Sequence, residues 1–93
     1  MASHNLESRV FKLTNELGMH ARPASLFVQT VNKFNCEVKV EKDGNIINGK
    51  SVMELMVLAA EEGSSLKVTA EGEDASEALD ALEKLFQNKF GED

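Results

Sequence analysis

The chain switches between two periodicities, and the switches mark its elements. Val10-Phe11-Lys12-Leu13 is a short apolar run of strand character that ends at the polar Thr14-Asn15-Glu16. Ala24, Val28 and Val31 then recur at helical spacing, with Leu26 and Phe27 widening the stripe, and the pattern fades across residues 32–35. Cys36-Glu37-Val38-Lys39-Val40-Glu41 alternates apolar and charged residues, as a strand with one buried face does. Asp43-Gly44 is a turn signal, and Asn45-Ile46-Ile47-Asn48 reads as the return strand. From Ser51 to Ala60 an apolar run is broken only by Glu54 and is closed by Glu61-Glu62-Gly63, which predicts a second helix. Leu66-Lys67-Val68-Thr69-Ala70-Glu71 alternates again. Between Asp74 and Phe90 the residues Ala75, Ala78, Leu79, Leu82, Leu85 and Phe86 fall on one helical face, with Asp74 and Glu77 placed to cap its start.

The predicted order is βαββαβα. Strands that alternate need one buried and one wet face, so the helices should cover a single face of a mainly antiparallel sheet, an α+β fold. No linker, repeat or low-complexity stretch interrupts the pattern. The reading is one domain over residues 9–91, preceded by a disordered leader or tag-like segment over residues 1–8.

Composition narrows the classes. Ninety-three residues at 42% hydrophobic content suffice for one modest core. Cys36 is the only cysteine, so no intrachain disulfide can form, which fits a reducing cytoplasm. No run is long and apolar enough to span a membrane, and the first ten residues lack the apolar centre of a signal peptide. A formal charge of −6 argues against nucleic acid as the main partner. Beyond Ser51 three lysines face eleven acidic residues, an imbalance that reads as solvated surface.

The chemistry concentrates in Leu17-Gly18-Met19-His20-Ala21-Arg22-Pro23-Ala24. Gly18 permits a turn that a side chain resists. Pro23 falls in the first turn of the following helix, where a missing N–H costs little. His20 thus stands near the helix N-cap, and the amides of Ala21 and Arg22 lack intrahelical partners and can face an anion. A neutral imidazole can attack a phosphoryl donor, and the phosphate gained lies beside free N–H groups and the Arg22 guanidinium. Other chemistries find less support. His4 is the only other histidine, no HxxxH or CxxC spacing occurs, and Ser25 and Cys36 have no second histidine in the folded region to serve as a base.

This octapeptide closely resembles the active-site signature of HPr, the histidine phosphocarrier family of the bacterial phosphoenolpyruvate-dependent phosphotransferase system. The likeness runs from about Val10 to Phe90 and includes the element order. It implies an open-faced β-sandwich, a four-stranded antiparallel sheet with three helices on one face. It also implies a monomer that takes a phosphoryl group from Enzyme I and gives it to an enzyme IIA domain, with no metal or other cofactor. His20 would be the phosphorylated nucleophile, Arg22 would stabilise the phosphate, and the amides of Ala21 and Arg22 would bind its oxygens.

Two further segments carry expectations. Asn48-Gly49-Lys50-Ser51-Val52-Met53-Glu54-Leu55-Met56 resembles the family segment with a regulatory serine, here Ser51, which in one branch is the target of HPr kinase/phosphorylase and creates a ligand for a catabolite repressor. The bland alternative is that Ser51 and Glu54 form a Ser-x-x-Glu capping box, and Glu54 stands where that branch often has a small residue. The second helix is too apolar for full burial, so Phe27, Val52, Met53 and Met56 are candidate partner contacts, with core packing as the alternative for the methionines. Two functions stay open at this point: a phosphocarrier, or a regulatory adaptor of the nitrogen-related or catabolite-control branch that binds partners according to its phosphorylation state. The ending Leu85-Phe86-Gln87-Asn88-Lys89-Phe90-Gly91-Glu92-Asp93 resembles the nitrogen-related branch, and Gly49-Lys50-Ser51 resembles the sugar-transport branch.

Overall fold

Four strands and three helices follow in the order βαββαβα in the computed structural model, which describes residues 5–59 and 61–92. The strands are β1 (Leu6–Lys12), β2 (Glu37–Lys42), β3 (Asn45–Asn48) and β4 (Ser65–Glu71). The helices are α1 (Ala21–Val31), α2 (Val52–Leu58) and α3 (Ala75–Gln87), and a single 3-10 turn follows at Lys89–Gly91. All strand pairs are antiparallel and the sheet order is β1-β4-β2-β3. The helices cover one face and leave the other open, the open-faced sandwich that the element order implied.

Alternation along the strands builds this arrangement. In β2, Val38 and Val40 are buried while Glu37 and Lys39 face solvent, and in β4 Leu66, Val68 and Ala70 point to the same core. The facing layer is Ala24, Phe27 and Val31 of α1, Leu55 of α2, and Ala75, Ala78, Leu79, Leu82 and Phe86 of α3. Phe86 stacks on Phe11 of β1 with ring centroids 4.8 Å apart and meets Phe27 and Phe90 edge-on at 6.3 and 4.9 Å. Such pairs add about 0.5–1.5 kcal/mol beyond simple burial.

Four expectations change. β1 starts at Leu6 rather than Val10, because Leu6, Glu7 and Ser8 pair with Glu71, Ala70 and Thr69 of β4. The segment expected to be a disordered leader over residues 1–8 therefore supplies sheet at its end, and residues 1–4 lie outside the described residues. The polar residues there are tolerated because β1 is an edge strand whose outer face is wet. Asp74 stands at the N-cap of α3 without capping it; its Oδ2 accepts the Asn35 N–H at 2.8 Å and so anchors the loop before β2. Ser51 does cap α2, its Oγ accepting the Glu54 N–H at 3.2 Å, but the Ser51 N–H is taken by the Asn48 carbonyl, which leaves no donor for the reciprocal half of the box. Finally, α3 stops at Gln87 instead of Phe90, because Lys89 and Phe90 adopt positive φ of 52° and 54°.

Phe27→Ala empties a fully buried site beside the Phe86 ring. A loss of about 3–5 kcal/mol in unfolding free energy is expected by urea titration, and a loss below about 1 kcal/mol would mean that the ring is not packed as described.

Candidate functional site

The Leu17–Ala24 segment bridges β1 and α1. Gly18 has φ +70°, and its N–H reaches back to the Asn15 carbonyl at 3.1 Å, so the chain reverses where a side chain would be strained. Met19 follows, buried, with its N–H on the Ala59 carbonyl at 3.0 Å, which ties the turn to the end of α2. His20 is then the N-cap of α1 with extended backbone (φ −88°, ψ −171°). Its side chain caps nothing, so the imidazole is free to face outward. Pro23 is buried in the first turn, where its missing N–H costs no helical bond. None of the described residues accepts a hydrogen bond from the N–H of Ala21 or Arg22, and both residues are exposed.

The end of the chain closes the site. Glu92 puts Oε2 2.7 Å from His20 Nε2 and 3.6 Å from the Arg22 guanidinium. Its Oε1 accepts the Asn15 side-chain N–H at 2.9 Å, and the same Asn15 nitrogen donates to the Gly18 carbonyl at 2.7 Å. Arg22 also donates to the Phe90 carbonyl at 3.0 Å. The cluster is partly sheltered: the His20, Arg22 and Glu92 side chains are 37%, 58% and 15% exposed. The carboxyl of Glu92 is held below the usual carboxylate range, chiefly by the Asn15 amide; partial burial opposes this, and the bond and charge of His20 with the charge of Arg22 reinforce it.

Two of these residues carried no signal that singled them out. Asn15 looked like polar punctuation after a strand, yet it is fully buried. Glu92 was one of many acids in an acidic half. Only the Asn-x-x-Gly spacing of Asn15 and Gly18, a turn with a side chain beside it, hints at the arrangement. The structure brings His20, Arg22 and the two amides together at the start of α1.

The other candidates separate. Ser51 is half-buried at the start of α2. Met53 and Val57 are strongly exposed, at 78% and 85%, and Val52 and Met56 are half-buried, so α2 does present an apolar surface. Phe27 does not contribute to it: the ring is 0% exposed, packed under α1, and is a core residue rather than a contact. Leu17, 69% exposed at the start of the motif, is an apolar surface residue that the sequence pattern did not mark as a contact. Among the described residues no group of three or more His, Cys, Asp or Glu side chains is placed to hold a metal ion. No helix among them is long and apolar enough to cross a membrane.

Comparison with known proteins places these features in a family. Residues 7–88 match the PTS-HPr family model, described as the PTS HPr component phosphorylation site. The phosphocarrier protein HPr of Xylella fastidiosa (strain Temecula1) is 43% identical over 81 residues, covering 87% of this chain and 91% of that protein. HPr-like protein Crh of Bacillus subtilis is 47% identical over 72 residues, 77% of this chain and 85% of that one. The crystal structure of HPr from Thermoanaerobacter tengcongensis superposes with a TM-score of 0.88 at 45% identity, covering 94% of this chain and 98% of that one.

Because the Glu92 carboxyl is depressed in the folded state, its contribution to stability is complete above about pH 4.5 and is lost as pH falls through the folded value below that. The stability difference between wild type and Glu92→Gln, from denaturant titrations over a pH series, should therefore be constant near neutrality and shrink below pH 4.5. A difference that grows on acidification would contradict the geometry.

Proposed function

The chain belongs to the HPr family of phosphocarrier proteins of the phosphotransferase system, and from that premise we propose that His20 accepts a phosphoryl group from Enzyme I and passes it to an enzyme IIA domain. The observation that carries this reading is the position of the imidazole at the N-cap of α1, beside two unpartnered amides and a guanidinium. The protein is a carrier: the group it holds comes from one protein and leaves to another, and the reaction needs no metal or cofactor on this chain.

The residues divide the work. Nε2 of His20 faces Glu92, so the nitrogen left to attack is Nδ1. The incoming phosphoryl oxygens meet the N–H groups of Ala21 and Arg22, and the Arg22 guanidinium supplies charge-assisted donors. Pro23 starts the helix without presenting a competing donor. Exposed Met53 and Val57, with half-buried Val52 and Met56, form the apolar part of a docking surface for Enzyme I and enzyme IIA. Arg22 is the only basic residue of α1, Lys33 lies just past its end, and Glu54 adds an acid, so apolar contact carries more of this docking than charge does. The working form in this reading is a monomeric carrier in the cytoplasm.

Incubation with Enzyme I and phosphoenolpyruvate should add one acid-labile phosphate to the wild-type chain by intact mass. His20→Ala should take none, and Arg22→Ala should be labelled at least about tenfold more slowly, since removing a fixed donor beside developing charge costs that much or more. A wild-type chain left unlabelled by a competent Enzyme I would sink the reading.

The similarity to HPr-like protein Crh favours a second, regulatory role at Ser51. Its Oγ stands at a helix start, half-exposed, within reach of a kinase. A phosphate there would lie three residues from the like charge of Glu54, which disfavours tight repressor binding. HPr kinase/phosphorylase with ATP should give an acid-stable phosphate that Ser51→Ala lacks; Ser51→Ala itself should cost about 1 kcal/mol through the lost cap. Acid-stable label persisting in Ser51→Ala would exclude this serine as the site.

A further inference from the structure

The carrier chemistry above gives Asn15 no part and uses Glu92 only to mark which ring nitrogen is engaged. We propose that Glu92 is a positioning residue for the transfer: its carboxylate holds the Nε2–H of His20 so that the ring presents the Nδ1 lone pair, and Asn15 aims that carboxylate. The role rests on the phosphocarrier reading of His20, and it lies outside the residues matched by the family model, which end at 88.

Donor and acceptor follow from chemistry. An ionised carboxylate only accepts, so the Nε2 that stands 2.7 Å from Glu92 Oε2 carries the proton. In the neutral ring, Nδ1 then holds the lone pair. The same reasoning orients the Asn15 amide. Its nitrogen faces two acceptors, the Gly18 carbonyl and Glu92 Oε1, so the reversed amide would set oxygen against oxygen at both. Its own Oδ1 is buried with no partner among the described residues. The buried amide therefore ties the turn at Gly18 to the Glu92 carboxylate through one nitrogen.

The backbone delivers Glu92 by an unusual path. Lys89, Phe90 and Gly91 take φ of 52°, 54° and 74° in succession, a left-handed turn that two of the three residues adopt against their preference. Two contacts hold it: the Phe90 ring is buried against Phe86, and the Phe90 carbonyl accepts from the Arg22 guanidinium. A left-handed turn kept in place by these contacts points to a group that the turn must place.

The step balances with this assignment. The Nδ1 lone pair forms the new N–P bond while the N–P bond of the phosphohistidine donor breaks, and its electron pair returns to the donor imidazole. The Nε2 proton of His20 stays in place. The ring therefore gains positive charge as the bond forms, and Glu92 lies against the nitrogen that carries the proton. In the second transfer the same carboxylate is present as the charge is withdrawn.

The test reads the ring and the reaction separately. In nitrogen-15 spectra of the full chain in alkaline buffer, wild type should show a downfield, hydrogen-bonded Nε2–H for His20, assigned by its absence in His20→Gln. Glu92→Ala should lose it, and Glu92→Gln, whose amide oxygen still accepts, should retain it. In single-turnover transfer from phosphorylated Enzyme I, Glu92→Ala and Glu92→Gln should both slow the step about tenfold at unchanged half-saturating concentration, a modest effect for a fixed charge beside a reacting group because solvent screens it. Wild type that takes label while Glu92→Ala matches it in rate, or in ring spectrum, overturns the positioning role alone. Wild type that takes no label overturns the carrier reading and this role with it.

Discussion

The fold and the site both hang on the burial of Phe86. This ring stacks on Phe11 of the edge strand, meets Phe27 of α1 edge-on, and meets Phe90 of the terminal turn edge-on. One aromatic side chain thus joins the sheet, the helix that carries His20 and the segment that carries Glu92. Without Phe90 held against it, nothing apolar would keep the left-handed turn after α3 in place, and the carboxylate beyond it would be free of the imidazole. Four of the five phenylalanines take part in this cluster, which is how a domain without Trp or Tyr fixes a polar site at its rim.

The core then sets the register of the site from the other side. Met19 is buried and bonded to Ala59, so the residue before His20 cannot shift without moving the end of α2. Asn15, buried beneath the same turn, spans from the Gly18 carbonyl to Glu92. His20 is consequently located by its neighbours and by its carbonyl, which accepts the Ala24 N–H at 3.1 Å, and not by a side-chain cap. This leaves the imidazole outward-facing on a fixed base.

Much of this was legible in the sequence, for physical reasons that differ by element. The strands β2 and β4 were legible because alternation is enforced wherever one face is dry and the other wet, and α3 because its buried residues recur every three or four positions. The beginning of β1 was not, since an edge strand with polar residues on its exposed side carries little pattern. The end of α3 was missed for the opposite reason: Phe86 and Phe90 keep helical spacing although the backbone between them has left the helix, because both rings still seek the same core. Phe27 shows the same ambiguity from another side. An aromatic on an amphipathic helix near a motif can be an anchor for a partner or for the interior, and only the packing of α1 on α3 decides for the interior.

Charge is where counting fails. The acidic surplus after Ser51 was read as solvated surface, and for most of those residues that holds. Glu92 differs from them by contact and not by type: it has an amide donor on one oxygen and an imidazole and a guanidinium near the other. A net charge sums over all of these side chains equally, whereas the electrostatic work of a carboxylate depends on what lies within a few ångströms of it and on how far solvent is kept away. The two partners that give Glu92 its place, Asn15 and His20, stand more than seventy residues earlier in the chain. No local pattern can carry that information. It arises only when the sheet brings both ends of the sequence to one edge and an aromatic cluster holds the last turn down.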